Sequence, residues 1–167
     1  MEFSDFQCPY CARFFLQTYP QIRQEYEDKI KFVYRDFPLT TIHANAEKAA
    51  EATECADEQG KYWEYHDLLW TKQEALDVSS LKSYAAGLGL DTAAFDECLD
   101  SGKYASEVEK DIQDGVSYGV QGTPAFLING LLVPGALPFA SFKTVLDAAL
   151  AGQPSSAVPS GAGGTDG

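Results

Sequence analysis

The two cysteines of Cys8-Pro9-Tyr10-Cys11 are the residues whose types and spacing point most directly to chemistry. They follow a short apolar segment, residues 2–6, and open an amphipathic pattern, which predicts a strand followed by a helix. A thiol at the first turn of a helix faces unpaired N–H groups and the positive end of the helix dipole, so the thiolate is favoured. Pro9 suits the first helical position, because it has no N–H to leave unsatisfied. We predict a redox pair, with Cys8 the exposed nucleophile and Cys11 the more buried resolving thiol.

A Cys-x-x-Cys pair can also form half of a structural zinc site. Such a site needs four ligands, usually two cysteine pairs or one pair with two closely spaced histidines. The other two cysteines, Cys55 and Cys98, are single, and the two histidines, His43 and His66, are far apart. This ligand count favours redox chemistry, and we predict no metal. His43 is interpreted as a residue near a helix start, with an active-site contact as the alternative, and His66 as a core or surface residue.

The composition indicates one globular domain with a substantial core, since 45% of the 167 residues are hydrophobic and 13% are aromatic. The net charge is −13 and no basic run occurs, so nucleic acids and anionic membrane surfaces are poor partners. No stretch has the apolar length of a membrane span, and no signal peptide precedes the first strand-like residues.

The N-terminal part follows a strand–helix–strand pattern. Residues 2–6 and 30–35 are predicted strands, and a helix is predicted from Pro9 to about Asp28. Pro20 falls inside that helix and is expected to kink it. This order implies parallel strands joined by a right-handed crossover.

The middle of the chain, about residues 40–119, lacks strand signals and is predicted to be an all-helical insertion. Helices are expected at about 44–59, at 61–72, from a cap at Ser79 or Ser80 to Gly87, from a cap at Asp91 to Leu99, and from Gly102 to Tyr118.

The C-terminal part returns to strands. Residues 125–129 and 131–133 flank Asn129-Gly130, a strong two-residue hairpin turn, and a closing helix is predicted over 138–150. Residues 152–167 are rich in Gly, Ser, Pro and Ala, which predicts a disordered tail. A βαβ unit followed by ββα is the thioredoxin-like arrangement. We therefore predict an α/β thioredoxin-like domain over residues 1–151 that carries the helical insertion.

Pro124 stands at the start of a predicted strand, where a proline cannot donate to the ladder. A cis bond between Thr123 and Pro124 would explain this position and would expose the backbone of Thr123.

Four segments together resemble the DsbA-like branch of the thioredoxin superfamily, whose members carry a helical insertion. They are Glu-Phe-Ser-Asp-Phe-Gln-Cys-Pro-Tyr-Cys at 2–11, Tyr-Arg-Asp-Phe-Pro-Leu at 34–39, residues 54–69, and residues 119–130. The family usually has a further strand before the one at residue 2, and a signal or anchor before that strand. Without this strand we expect one sheet edge to be short.

The resemblance implies roles for individual residues. Cys8 matches the nucleophile, Cys11 the resolving cysteine, and Thr123-Pro124 the cis-proline loop that offers backbone hydrogen bonds to an extended substrate. Glu2 matches a buried acid that aids proton transfer near the resolving cysteine; the alternative is a frayed terminal carboxylate.

In this branch a pair such as Cys55 and Cys98 commonly forms a structural disulfide. Two buried, unbridged thiols are the alternative. A disulfide would favour an oxidising compartment.

The implied function is thiol–disulfide exchange with cysteines of exported proteins in a periplasmic or other extracytoplasmic compartment. No cofactor is expected beyond the Cys8–Cys11 disulfide, which a membrane-bound or soluble redox partner would recycle. A monomer is expected, and the direction of exchange is open. Two alternatives remain: a glutathione-linked, glutaredoxin-like enzyme, and a peptide-binding or chaperone module that uses the cis-proline groove.

Overall fold

The sheet has the strand order and directions expected of a thioredoxin-like fold. The protein, described over residues 1–152 by a computed structural model, forms a four-stranded sheet in the order β2-β1-β3-β4. The strands are β1 (Glu2–Ser4), β2 (Tyr34–Asp36), β3 (Ala125–Ile128) and β4 (Leu131–Pro134). β1 pairs parallel with β2 and antiparallel with β3, and β3 pairs antiparallel with β4. The predicted fold class is therefore confirmed. The predicted tail, apart from Gly152, lies outside the described residues.

The two predicted N-terminal strands are shorter than expected. β1 ends at Ser4 because the Asp5 carboxylate accepts hydrogen bonds from the Gln7 and Leu39 N–H groups, each at 2.7 Å, and so holds a turn. Residues 30–33 do not extend β2, although the Val33 carbonyl accepts a hydrogen bond from the Glu2 N–H at 2.8 Å.

The first helix is interrupted where Pro20 was expected to kink it. It consists of α1 (Pro9–Arg13), a π-helical turn (Phe14–Thr18) and α2 (Tyr19–Tyr26), so it ends before the predicted Asp28. Pro20 has no N–H to offer the carbonyl four residues earlier. The Tyr19 N–H instead donates to the Phe14 carbonyl five residues back, which is the π-helical pattern.

The segment predicted as a helical insertion contains α3 (Ala46–Asp57), α4 (Tyr62–Trp70), α5 (Val78–Gly87), α6 (Thr92–Ser101) and α7 (Ala105–Ser117). Asp91 caps α6 as predicted, since its carboxylate accepts from the N–H groups of Ala93 and Ala94. The predicted cap of α5 at Ser79 or Ser80 is wrong, because the Asp77 carboxylate accepts from the Ser80 N–H. No helix within residues 1–152 is long and apolar enough to cross a membrane.

A disulfide joins α3 to α6 through Cys55 and Cys98, with an S–S distance of 2.01 Å. The bridged residues are 43 positions apart, and closing a loop of that length stabilises a fold by about 3–4 kcal/mol in the chain-entropy model. The bridge belongs to the same buried cluster as Cys8 and Cys11. The redox pair therefore packs directly on the insertion.

The C-terminal part follows the prediction closely. Asn129 and Gly130 both have positive φ, 47° and 88°, as a two-residue hairpin turn of this kind requires. The closing helix, α8 (Phe139–Leu150), packs Phe142 against Phe14 and Phe126 on one side of the sheet. Phe3 and Phe37 form a smaller cluster on the other side, under α7.

Gly115 allows α7 to lie close to that smaller cluster. A Cβ at this position would lie 2.7 Å from the Phe37 ring and 3.1 Å from the Phe3 ring. We expect Gly115→Ala to lower the free energy of unfolding by roughly 1–3 kcal/mol, because overpacked cores shift side chains and backbone. Gly87→Ala, at the end of α5 with open space around it, should be neutral or stabilise by up to about 1 kcal/mol. Urea unfolding of both variants tests the contrast; equal stabilities would contradict it.

Candidate active site

Cys8 lies at the start of α1, where two backbone hydrogen bonds hold it. Its N–H donates to the Asp5 carbonyl at 3.0 Å, and its carbonyl accepts from the Ala12 N–H at 3.2 Å. Pro9 occupies the first helical position, as predicted from its missing N–H. These contacts direct the Cys8 side chain across the end of the sheet.

The cis-proline loop meets Cys8 from the opposite side. β3 neighbours β1, so the residues that precede β3 lie beside the end of β1 and the loop that follows it. The Thr123–Pro124 peptide bond is cis, and the Thr123 carbonyl lies 3.5 Å from the Cys8 sulfur. The two chain segments singled out in the sequence are thus brought together, although they are 115 residues apart.

The expectation of an exposed Cys8 is wrong. Only 3% of Cys8 is accessible, against 0% of Cys11, because Cys8 lies under the Thr123 carbonyl and packs on the insertion. The exposed part of the motif is the dipeptide between the cysteines, with Tyr10 58% accessible. The Arg13 guanidinium lies 5.2 Å from the centre of the Tyr10 ring and donates to the Ala136 carbonyl. These two contacts hold the exposed Tyr10 side chain in place.

The two free thiols have strongly different acidities. A hydrogen bond from the Cys11 thiol lowers the pKa of Cys8 to about 6, and Thr123 and the N–H groups of Cys11 and Tyr10 lower it further against the effect of burial. Burial, followed by the interaction with the Cys8 sulfur, raises the pKa of Cys11 well above its ordinary value. The sequence predicted the helix N–H contribution but not the larger one from Cys11.

Glu2 is a buried, neutral acid rather than a frayed terminal carboxylate. It lies in a strand with neighbours on both sides and is 4% accessible. Burial raises the pKa of Glu2 to about 8, and the Ser4 hydroxyl opposes that rise. The group therefore holds a proton at neutral pH.

Two further residues support the loop that carries Cys8: Gln73, which the sequence did not single out, and His43, for which an active-site contact was the alternative interpretation. Gln73, in the loop between α4 and α5, donates through its side-chain amide to the carbonyls of Phe6 and Cys8, at 2.6 and 3.1 Å. His43 is more than a residue near a helix start, since its Nδ1 lies 2.8 Å from the Asp5 carboxylate. No local pattern marks either contact, because both join segments more than 35 residues apart. His66 is buried in the core, one of the two places considered for it.

The described part of the chain contains no group of side chains that could form the alternative zinc site. Within residues 1–152, no three His, Cys, Asp or Glu side chains lie together so that they could hold a metal ion.

Comparisons with known proteins place this fold and site in a family. The family model described as thioredoxin matches residues 1–148. Among solved structures, BdbD from Bacillus subtilis superposes with a TM-score of 0.80 at 25% identity, covering 90% of this chain and 85% of that one. A thioredoxin-like oxidoreductase from Silicibacter pomeroyi gives 0.78 at 26% identity, covering 89% and 83%. Alpha-DsbA1 of Wolbachia pipientis gives 0.76 at 22% identity, covering 90% and 84%, which bears on the fold alone.

The chain therefore belongs to the thioredoxin family. Its fold is shared with alpha-DsbA1, BdbD and the thioredoxin-like oxidoreductase, as the sequence resemblance to the DsbA-like branch implied.

Curated relatives include much longer proteins. One of them, named Na(+)/H(+) antiporter NhaA 3, from Salinispora tropica, is 40% identical over 132 residues, which cover 78% of this chain. The match spans only 20% of that relative, so the antiporter name describes a protein about five times as long as the shared segment.

The hydrogen bond from Cys11 can be tested by alkylation of Cys8 across pH. We expect the reduced protein to react with a midpoint near pH 6. Cys11→Ser keeps a hydroxyl donor and should hold the midpoint close to that value. Cys11→Ala removes the donor and should raise the midpoint by roughly one to two pH units, because a hydrogen bond to a charged group contributes about 1.5–3 kcal/mol. An unchanged midpoint in Cys11→Ala would contradict the assignment.

The hydrogen bonds of Gln73 are expected to stabilise the protein, so their removal should lower its free energy of unfolding. We expect Gln73→Met, of similar length, to lower the free energy of unfolding by about 1–3 kcal/mol, because two part-buried carbonyls lose their donor. Gln113→Met, on the exposed side of α7, is the matched control and should change stability by less than about 0.5 kcal/mol. Urea unfolding of the reduced proteins measures both, and equal effects would show that Gln73 does not hold the loop.

Proposed function

We propose that the chain exchanges disulfides with cysteines of exported proteins through the Cys8–Cys11 pair. The observation that carries this proposal is the position of Cys8 at the start of α1, with its sulfur 3.5 Å from the Thr123 carbonyl of the cis-proline loop and with Cys11 fully buried in the next turn. The lowered pKa of Cys8, about 6, and the raised pKa of Cys11 support it. Cys8 is thus the stable leaving group and attacking thiolate, and Cys11 keeps its proton until it is required.

In the oxidising direction, a substrate thiolate attacks the Cys8 sulfur of the Cys8–Cys11 disulfide. The S–S bond breaks, Cys11 receives its electron pair and then a proton, and a mixed disulfide joins the substrate to Cys8. A second substrate thiolate attacks the substrate sulfur of that bond, and Cys8 leaves as the thiolate. The substrate is oxidised by two electrons and the cysteine pair is reduced by two. The reducing direction follows the same steps backwards.

The low pKa of Cys8 stabilises the reduced form of the pair, and this makes the Cys8–Cys11 disulfide a stronger oxidant of its substrates. Because the pKa is lowered from 9.0 to about 6, the stabilisation of the reduced form is full above about pH 9 and is lost as the pH falls through about 6. At pH 7 it amounts to about 1.4 kcal/mol, or roughly 30 mV for two electrons. Potentials in this superfamily run from about −270 to −120 mV, so Cys8 alone accounts for about a fifth of that range. This favours an intermediate potential.

A groove beside the cis-proline loop supplies a place for an extended substrate segment. Its volume is about 480 Å³, and residues 119–125 line it together with Leu132, Pro134 and Gly135. Thr123 lines this groove, and its carbonyl contacts the Cys8 sulfur. A substrate chain that binds here would therefore present its cysteine to Cys8.

An oxidising, extracytoplasmic compartment fits the Cys55–Cys98 disulfide, since such bonds persist where thiols are not kept reduced. In this proposal the Cys8–Cys11 disulfide is the only redox group, and a membrane-bound or soluble redox partner restores it after each cycle. The antiporter activity in the name of the longer relatives is not part of the proposal.

The proposal is tested by equilibrating the protein in glutathione redox buffers and assaying oxidation of a reduced model protein and reduction of insulin. We expect a potential between about −270 and −120 mV, activity in at least one assay, and none in Cys8→Ser. The Cys11→Ser variant should accumulate a mixed disulfide with the model protein. Preferred turnover of a small glutathione mixed disulfide would instead support the glutaredoxin-like alternative. Peptide binding that survives loss of both cysteines, without exchange activity, would support the chaperone alternative.

A further inference from the structure

A series of contacts joins the cis-proline loop to the helix that carries Cys8. The Thr123 carbonyl lies 3.5 Å from the Cys8 sulfur. The carbonyl of the next residue, Pro124, accepts a hydrogen bond from the Gly135 N–H at 2.8 Å. Gly135 directly follows β4 and lines the groove that we assign to the substrate chain. This end of the groove is therefore held close to Cys8.

Arg13 reaches the same end of the groove from α1. Its guanidinium donates to the carbonyl of Ala136, the residue after Gly135, at 3.2 Å. It also lies 5.2 Å from the centre of the ring of Tyr10, which is one turn earlier on the helix and stands between the two cysteines in the sequence. Both side chains are exposed. A substrate segment that leaves the groove past Cys8 therefore meets Tyr10 and Arg13.

The charge of Arg13 has no acidic partner within residues 1–152. The other two arginines, Arg23 and Arg35, both form ion pairs with acidic side chains. Acidic residues outnumber basic ones by 25 to 12, so an arginine without such a partner is unusual in this chain. None of the residues that line the groove is charged. Among the residues that line the groove or contact its end, Arg13 thus carries the one formal charge.

The guanidinium of Arg13 is prepared to bind a carboxylate. It has five N–H donors in one plane, and the Ala136 carbonyl accepts from one of its terminal nitrogens. The remaining donors suit the two oxygens of a carboxylate, which arginine often binds through two parallel hydrogen bonds. The contacts with Tyr10 and Ala136 limit the movement of the side chain, so less conformational freedom is lost when a ligand binds. Tyrosine and arginine are also among the residue types that contribute most often to binding energy at interfaces.

We propose that Arg13 is a specificity-determining residue, which binds the carboxylate of an aspartate or glutamate next to the substrate cysteine. The inference rests on the proposed disulfide exchange. The groove takes the residues on one side of the substrate cysteine, and Tyr10 and Arg13 contact those on the other side. The acidic side chain is held by Arg13 while the substrate sulfur exchanges with Cys8. Substrates with an acidic residue at this position therefore react faster than substrates with a neutral one.

The test follows the release of thiopyridone when Cys8 of the reduced full chain attacks single-cysteine peptides activated as 2-pyridyl disulfides. The Cys8 thiolate bonds to the peptide sulfur, the peptide–pyridyl S–S bond breaks, and thiopyridone leaves with the electron pair and takes up a proton. The peptides have blocked termini and differ in one residue, Asp or Asn, placed directly before or directly after the cysteine. Any signal that remains in Cys8→Ser is subtracted. The ratio of the Asp rate to the Asn rate cancels differences in the reactivity of Cys8 itself.

We expect this ratio to be about two- to fivefold higher in the wild type than in Arg13→Gln at one of the two positions, which is the range for an exposed ion pair at low salt. Arg13→Lys keeps the charge and should keep part of the preference. Arg23→Gln is the matched control, because it removes the same charge from an exposed arginine of α2 that pairs with Glu27. This control should keep the wild-type ratio.

Equal ratios in the wild type and in Arg13→Gln at both positions would overturn the inference. An equal fall of the ratio in Arg13→Gln and Arg23→Gln would also overturn it, because the effect would then come from net charge alone. An Asp preference that depends on Arg13, in a protein that neither oxidises the model protein nor reduces insulin, would support the carboxylate site and overturn the proposed function instead.

Discussion

The interaction between the Cys11 thiol and the Cys8 sulfur is the one on which the site depends. It lowers the pKa of Cys8 more than any other contact does, and the same contact, after burial, helps to keep the proton on Cys11. The two sulfurs therefore behave as one unit with one proton. Most of the surrounding structure can be understood as keeping these two atoms close together and buried.

That arrangement requires contributions from distant parts of the chain. Asp5 holds the turn after β1 by accepting from Gln7 and Leu39, while Gln73 reaches from the insertion to the carbonyls on either side of the turn into α1. Thr123 closes the opposite side. The helical insertion is thus part of the scaffold of the Cys8–Cys11 pair, since its residue Gln73 contacts the loop that carries Cys8.

Several features of the site and the fold could be predicted from short sequence motifs. Cys8-Pro9 at a strand–helix junction, Asn129-Gly130 in a hairpin and Pro124 at a strand start each follow from backbone geometry, so they could be located from the residues alone. The bounds of β1 and the cap of α5 were wrong because Asp5 and Asp77 compete for backbone N–H groups in ways that periodicity does not show. The Gln73 contacts could not be foreseen, because they arise only when distant segments pack together.

The bridge between Cys55 and Cys98 has a consequence for how the protein matures. Gln73, which donates a hydrogen bond to the Cys8 carbonyl, lies within the loop of chain that the Cys55–Cys98 disulfide closes into a covalent ring. A newly made chain lacks that ring until its own two thiols have been oxidised. The support that this ring gives to the Cys8 loop therefore follows an earlier oxidation of Cys55 and Cys98 by another oxidant.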